Sequence, residues 1–250
     1  MLYNYFKKIW VLFFLIPVSA HDQDARQIIS AADAHAKGKT SVSIMTIQIV
    51  RPSWSREISL KTWTKGNDQA LILITSPVKD KGIVYLKRGK EVWNWIPAIE
   101  RNIKLPPSMM SQSWMGTDFT NDDLVKEASI VEDYDHTIIG EEMIHEMPCH
   151  KILMIPKPEA AVVWGKVLIW IEKKDHLMLH AEYYDESGRL VNTLYASDVK
   201  WLGGRRLPAR LEMIPADKKG NKTILLYSEL RFDEPLSDNI FTTQYMPRAQ

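Results

Sequence analysis

The residues able to do chemistry lie scattered along the chain. His176 and His180 stand four apart, a spacing that on a helix would present two imidazoles to one zinc ion. Their neighbours Leu177, Leu179, Ala181 and Tyr183 alternate with polar residues as in a strand, and four strand residues separate the two rings by roughly 13 Å, too far for one metal. Cys149 is the only cysteine, so no intramolecular disulfide can form. Its setting, MPCHKILMI, alternates like a strand, which sends the adjacent His150 to the opposite face and leaves Cys149, with His145 nearby, as a buried inert thiol. Asp118, Asp122 and Asp123 resemble oxygen ligands, yet the run lacks the glycine and terminal glutamate of a calcium loop. Thr120 with Asp123 three residues on, or Asn121, reads instead as the cap of a short helix through residue 127. Glu141, Glu142 and Glu146 could supply a carboxylate pair for acid–base work but read as a solvated loop. With no G-x-S-x-G, P-loop, G-x-G-x-x-G or H-E-x-x-H pattern, the expectation is a protein that is not an enzyme and holds no metal and no cofactor.

A different chemistry is concentrated in residues 106–124, PPSMMSQSWMGTDFTNDDL, which place Met109, Met110, Trp114, Met115 and Phe119 in a stretch with no strand period. Large soft side chains bounded by prolines and a glycine are either core or an adaptable apolar surface for a ligand of variable shape, and the local sequence leaves both open. Trp63, Trp93, Trp95, Trp164, Trp170 and Trp201 add aromatic bulk elsewhere.

The elements that must position these residues are legible from periodicity. Residues 3–20 read as a secretory signal peptide: Lys7 and Lys8 precede the apolar run IWVLFFLI, and Val18-Ser19-Ala20 supplies small residues for cleavage. That run is far short of the roughly 20 residues that span a bilayer. The expectation is a soluble exported protein, a single domain over residues 21–250 after a signal peptide at 1–20. The 32 basic and 31 acidic residues give a formal charge of +1, or −1 without Lys7 and Lys8, and their interspersion implies no nucleic acid and no anionic membrane surface. Ala25, Ile28, Ile29, Ala32 and Ala36 form a stripe that predicts a helix over 22–36, stopped by Gly38. From Ser41 the period becomes two and persists, with turn residues at 65–68, 88–89, 186–188, 203–204 and 218–221. About eleven strands in an antiparallel meander follow, with Trp93 and Trp95 sharing one face of the strand at 91–96 and short polar tails at the ends. Such a sheet must curl or be covered, and the N-terminal helix and the central stretch are the covers.

Several segments of this chain resemble the outer-membrane lipoprotein-sorting protein family, a LolA-like group. They are PSWSREISLKTWTKG, VWNWIPAIERNIKLPPSMMSQSWMGTDFTNDDLVKE, PKPEAAVVWGK with WIEKKD, YYDESGRLV and FDEPLSDNIFT, of which the central block is the most specific. The resemblance implies a mainly β fold: a strongly curved antiparallel sheet, an unclosed barrel covered by an N-terminal helix and a short helical insertion around a hydrophobic cavity. It implies a periplasmic carrier of lipid or lipoprotein acyl chains, served by an inner-membrane transporter and an outer-membrane acceptor. A lipid-sensing regulator and a structural subunit of an envelope export assembly are the alternatives. Trp93, Trp95, Met109, Met110, Trp114, Met115 and Phe119 are the expected cavity or lid residues.

Overall fold

Alternation of apolar and polar residues is realised as one antiparallel sheet of thirteen strands, seen in a computed structural model that describes residues 20–126 and 130–249. After helix α1 (Ala20–Lys37) come β1 (Thr40–Arg51), β2 (Trp54–Lys65), β3 (Gln69–Ser76), β4 (Val84–Arg88), β5 (Glu91–Ile96) and β6 (Arg101–Lys104). Beyond a central segment follow β7 (Tyr134–Ile144), β8 (Met147–Pro156), β9 (Lys166–Glu172), β10 (Met178–Tyr184), β11 (Leu190–Leu202), β12 (Arg205–Pro215) and β13 (Lys222–Phe232). The order across the sheet is β6-β5-β4-β3-β2-β1-β13-β12-β11-β10-β9-β8-β7, so the chain starts in the middle, walks to one edge, crosses, and walks back from the other. Edges β6 and β7 do not pair with each other, and the sheet stays open. The crossing between these edges takes the central segment, described over residues 105–126 and 130–133, over a face of the sheet.

Thirteen strands stand against the expected eleven or so. The strand hidden from the sequence is β6, whose RNIK is exposed along its whole length and pairs with β5 from Trp93↔Lys104 to Ile96↔Arg101. An exposed four-residue edge strand carries almost no hydrophobic period to read. Glu141 and Glu142 are likewise in β7 and not in a loop, because the β7–β8 turn is tight: His145 and Glu146 both adopt positive φ, 48° and 63°. Positive φ at both central residues matches the twist of a two-residue hairpin turn. Glu141 pairs with Lys173, and Glu142 accepts from Lys151 and from Trp170 Nε1.

Helix α1 lies on one face, here called inner, packing on β7 and β9. Ala25, Ile29 and Ala32 are buried there with Ile152, Met154, Val167, Ile169, Ile171 and Leu194, whereas Ala36, the last residue of the expected stripe, is exposed. Gly38 ends the helix in a left-handed conformation, φ 66°, with its N–H on Ala34 O, and a Cβ there would meet the Phe232 ring at 3.0 Å. Arg205 Nη1 donates to the carbonyls of Ala34, which it shares with Gly38 N–H, and His35 in the last turn of the helix.

The outer face carries its own core. Residues expected to form a polar tail wind through short 3₁₀ turns at Asp238–Phe241 and Met246–Arg248 and bury Phe241, Met246 and Ala249 against Leu71, Leu73, Val84 and Leu86. The tail's apolar residues follow neither a helical nor a strand period, so the sequence conceals their burial. The expected signal peptide lies outside the described residues except for Ala20, the first residue of α1. No helix among the described residues is long and apolar enough to cross a membrane.

Candidate ligand site beneath the central segment

On the inner face, β1 to β5 present Met45, Ile47, Ile49, Ile58, Leu60, Ile72, Ile74, Tyr85 and Val92, joined by Leu225 from β13. What covers them is not a regular element. Residues 105–126 form a self-braced lid: Pro106 and Pro107 open a single 3₁₀ turn, and Met115 and Gly116, both at positive φ, reverse the chain so that Ser113 bridges to Thr120. Trp114 N donates to Phe119 O at 2.9 Å, Asn121 Nδ2 to Met109 O at 2.9 Å, and Asp122 N to Met110 O at 3.0 Å. The expected cap is present. Asp123 N donates to Thr120 Oγ1 at 3.1 Å while Thr120 N donates to Asp123 Oδ2 at 2.8 Å, and the turn Asp122–Lys126 follows; residue 127 lies outside the described residues.

One acidic side chain ties this lid to the floor. Asp118 Oδ2 accepts from Arg51 Nη1 at 2.9 Å and Thr223 Oγ1 at 2.7 Å, and the Asp118 carbonyl accepts from Asn192 Nδ2 at 3.1 Å. Arg51 Nη2 also donates to Gly116 O at 2.8 Å. Strands β1, β11 and β13 thus hold a single loop residue, and the Arg51 and Asp118 side chains are only 12% and 5% exposed. Asp123 is the second tie, accepting from Trp164 Nε1 at 3.0 Å. Burial raises its carboxyl above the usual carboxylate value, and the hydrogen bonds from Thr120 and Trp164 offset that only in part.

The sequence-expected site residues divide between the two faces. Met110, Trp114 and, partly, Met109 and Met115 pack on the β1–β5 aliphatics, and Phe119 reaches the neighbouring cluster beneath α1. Trp114 is 1% exposed and its ring lies 5.6 Å from that of Tyr85. Trp93 and Trp95 are elsewhere: they stand on the outer face with Leu71, Leu86 and Phe241, while their neighbour Val92 faces the lid. The structure therefore does not bring Trp93 and Trp95 to the other five, because strand alternation carries them through the sheet.

Polar residues under the lid were not singled out by the sequence. Along the register, Ser43, Thr62, Ile72, Tyr85 and Asn94 form one row across β1 to β5, and Ser41, Thr64, Ala70, Lys87 and Val92 the next. Ser43 and Thr62 share a 2.6 Å hydrogen bond, and Lys87 is buried. The signal was available: these polar side chains occupy positions that alternation assigns to the inner face. Burial pushes the Tyr85 hydroxyl up to about 12.

Other candidates resolve simply. Cys149 is buried on the outer face, its thiol donating to Met147 O at 3.4 Å and pushed up to about 11 by burial. His180 stacks between Trp170 and Tyr195 on that face, whereas His176 helps line a cleft of about 450 Å³ with His150 and α1. A second cleft of about 300 Å³ lies near the C-terminal end of α1. No group of His, Cys, Asp and Glu that could hold a metal occurs among the described residues.

Against known proteins, a family model described as an uncharacterized protein matches residues 66–248. No curated protein matches the chain. Among solved structures, a DUF1329 family protein from Desulfovibrio piger is 25% identical with a TM-score of 0.82, covering 91% of this chain and 100% of its own. A domain from Vibrio parahaemolyticus described as an outer membrane lipoprotein-sorting protein is 21% identical with a TM-score of 0.81, over 91% and 100% of the two chains. A LolA superfamily protein from Nitrosomonas europaea is 26% identical with a TM-score of 0.77, over 88% and 98%.

Proposed function

We propose that this chain, which belongs to the family matched over residues 66–248 and to the LolA-like superfamily, is a periplasmic carrier that receives acyl chains of lipid or lipoprotein between its central segment and the inner face of the sheet. One observation carries the reading: an apolar surface from five adjacent strands is covered not by a regular element but by an irregular segment rich in methionine, which packs on it through Met110 and Trp114 and is tied to the sheet by polar contacts at Asp118 and Asp123. A cover tied through two carboxylates and outside the strand ladder can lift without unravelling a helix or strand, and thioether side chains repack around guests of different shape. Each methylene moved from water to such a surface contributes about 0.8 kcal/mol, so one long chain is a substantial ligand. An inner-membrane transporter and an outer-membrane acceptor would be its partners, and a LolA-like carrier needs no catalytic group.

The test is lipid extraction from the mature form, residues 21–250, purified from periplasm, with mass spectrometry of the extract and uptake of a fluorescent fatty acid, beside a Trp114→Ala, Met115→Ala variant. Bound acyl lipid that falls in the variant supports the carrier. Empty protein that takes up no fatty acid transfers the weight to a structural subunit of an envelope assembly. That second reading has its own support in the packing, for Trp114, Met110 and Phe119 fill the inner face and the described clefts lie beside α1.

A further inference from the structure

Two buried polar atoms beneath the lid have no hydrogen-bond partner among the described residues: the indole N–H of Trp114 and the side-chain carbonyl Oδ1 of Asn94. They belong to one neighbourhood. Asn94 on β5 is the direct cross-strand partner of Tyr85 on β4, and the Tyr85 ring lies against that of Trp114. One atom is a donor only and the other an acceptor only. Leaving either unpaired out of water is unfavourable, and a buried orphan in a native protein calls for a reason. Around them the inner face is graded: Ser43, Thr62, Tyr85 and Asn94 make one row polar, and the rows beyond it, through Met45, Leu60 and Ile74 to Ile47 and Ile58, are wholly aliphatic.

We propose that Trp114 and Asn94 together read the secondary amide of an N-acyl chain, the amide carbonyl accepting from Trp114 Nε1 and the amide N–H donating to Asn94 Oδ1, with the acyl tail on the aliphatic rows. This rests on the carrier reading and adds to it which end of the guest is recognised. Other head chemistries satisfy the pair less well. An ester offers no donor and leaves Asn94 Oδ1 facing oxygen, and a carboxylate sets a negative charge against that same acceptor. A secondary amide presents one donor and one acceptor in fixed, opposed directions.

The experiment compares N-methylpalmitamide with methyl palmitate, equal in chain length and nearly in shape, as competitors for a bound fluorescent fatty acid. Wild-type protein should bind the amide about tenfold more tightly, the effect of one hydrogen bond made against one acceptor left bare. Asn94→Leu should bring the two to parity, whereas Trp114→Phe, which keeps a ring in place, should weaken both about tenfold and preserve their ratio. The Trp114 indole proton resonance, assigned by its loss in Trp114→Phe, should move downfield when either ligand binds. A wild-type ratio near one, a preference that survives Asn94→Leu, or affinities untouched by Trp114→Phe would each overturn the assignment and leave the carrier standing. Failure of the fluorescent fatty acid itself to bind would remove the carrier reading together with the assignment.

Discussion

Replacing Asp118 by alanine tests how much of the lid's hold on the sheet rests on this one carboxylate. The substitution removes the hydrogen bonds from Arg51 at 2.9 Å and Thr223 at 2.7 Å, while the Asp118 carbonyl keeps Asn192. Breaking a buried ion pair by removing one partner costs about 3–5 kcal/mol, but Arg51 retains the carbonyls of Gly116, Val50 and Lys222, which lowers the expectation to about 2–4 kcal/mol. That is about a 30- to 900-fold rise in the opening constant of the lid. Native-state hydrogen exchange reads it at the amide of residue 118, which crosses from the lid to Thr223 Oγ1 on β13 at 2.9 Å, and not at amides whose acceptors lie within the lid. That lid amide should exchange faster by that factor while amides of β2 and β3 keep wild-type rates, and uptake of a fluorescent fatty acid should quicken. Equal acceleration across lid and sheet, or no change at the lid, would refute the reasoning, because Asp118 would then stabilise the whole fold or nothing. An Arg51→Ala, Asp118→Ala double variant should fall short of the summed single effects, since the two act as one pair.

Three further outcomes follow from the packing and electrostatics. Phe241→Ala should destabilise the protein by about 3–5 kcal/mol in urea unfolding, because the ring is 1% exposed against β3 and β4; a loss below about 1 kcal/mol would mean that the C-terminal segment is not seated there. Cys149 should resist thiol reagents at neutral pH until the protein unfolds, since burial pushes it up to about 11, and rapid labelling of native protein would contradict that placement. Burial lowers His136 and His180 below the ordinary 6.5, so charging them opposes folding: the stability is complete above 6.5 and is lost as pH falls through their folded values. The urea midpoint should therefore drop between about pH 7.5 and about pH 5.5, and His180→Gln should reduce the drop; a midpoint that holds or rises would show the histidines to be uninvolved.

What the sequence determined by itself is the local pattern. The stripe from Ala25 to Ala32 and the stop at Gly38 specify α1, two-residue periodicity specifies nearly every strand, and the Thr120–Asp123 pair specifies the turn that braces the lid. These features depend on residues a few positions apart, and their physics is complete within a short window. The tertiary structure alone decided the rest. That β6 and β7 lie at opposite edges sets the central segment across the inner face, and this order is a property of the whole chain. Trp93, Trp95 and Trp114 are chemically alike, yet the covering C-terminal segment gives the first two an outer core while the crossing segment carries the third onto the inner face. Asp118 finds Arg51, Thr223 and Asn192 at separations of 67, 105 and 74 residues. No short window contains such partners, and only the folded sheet brings them within hydrogen-bond reach.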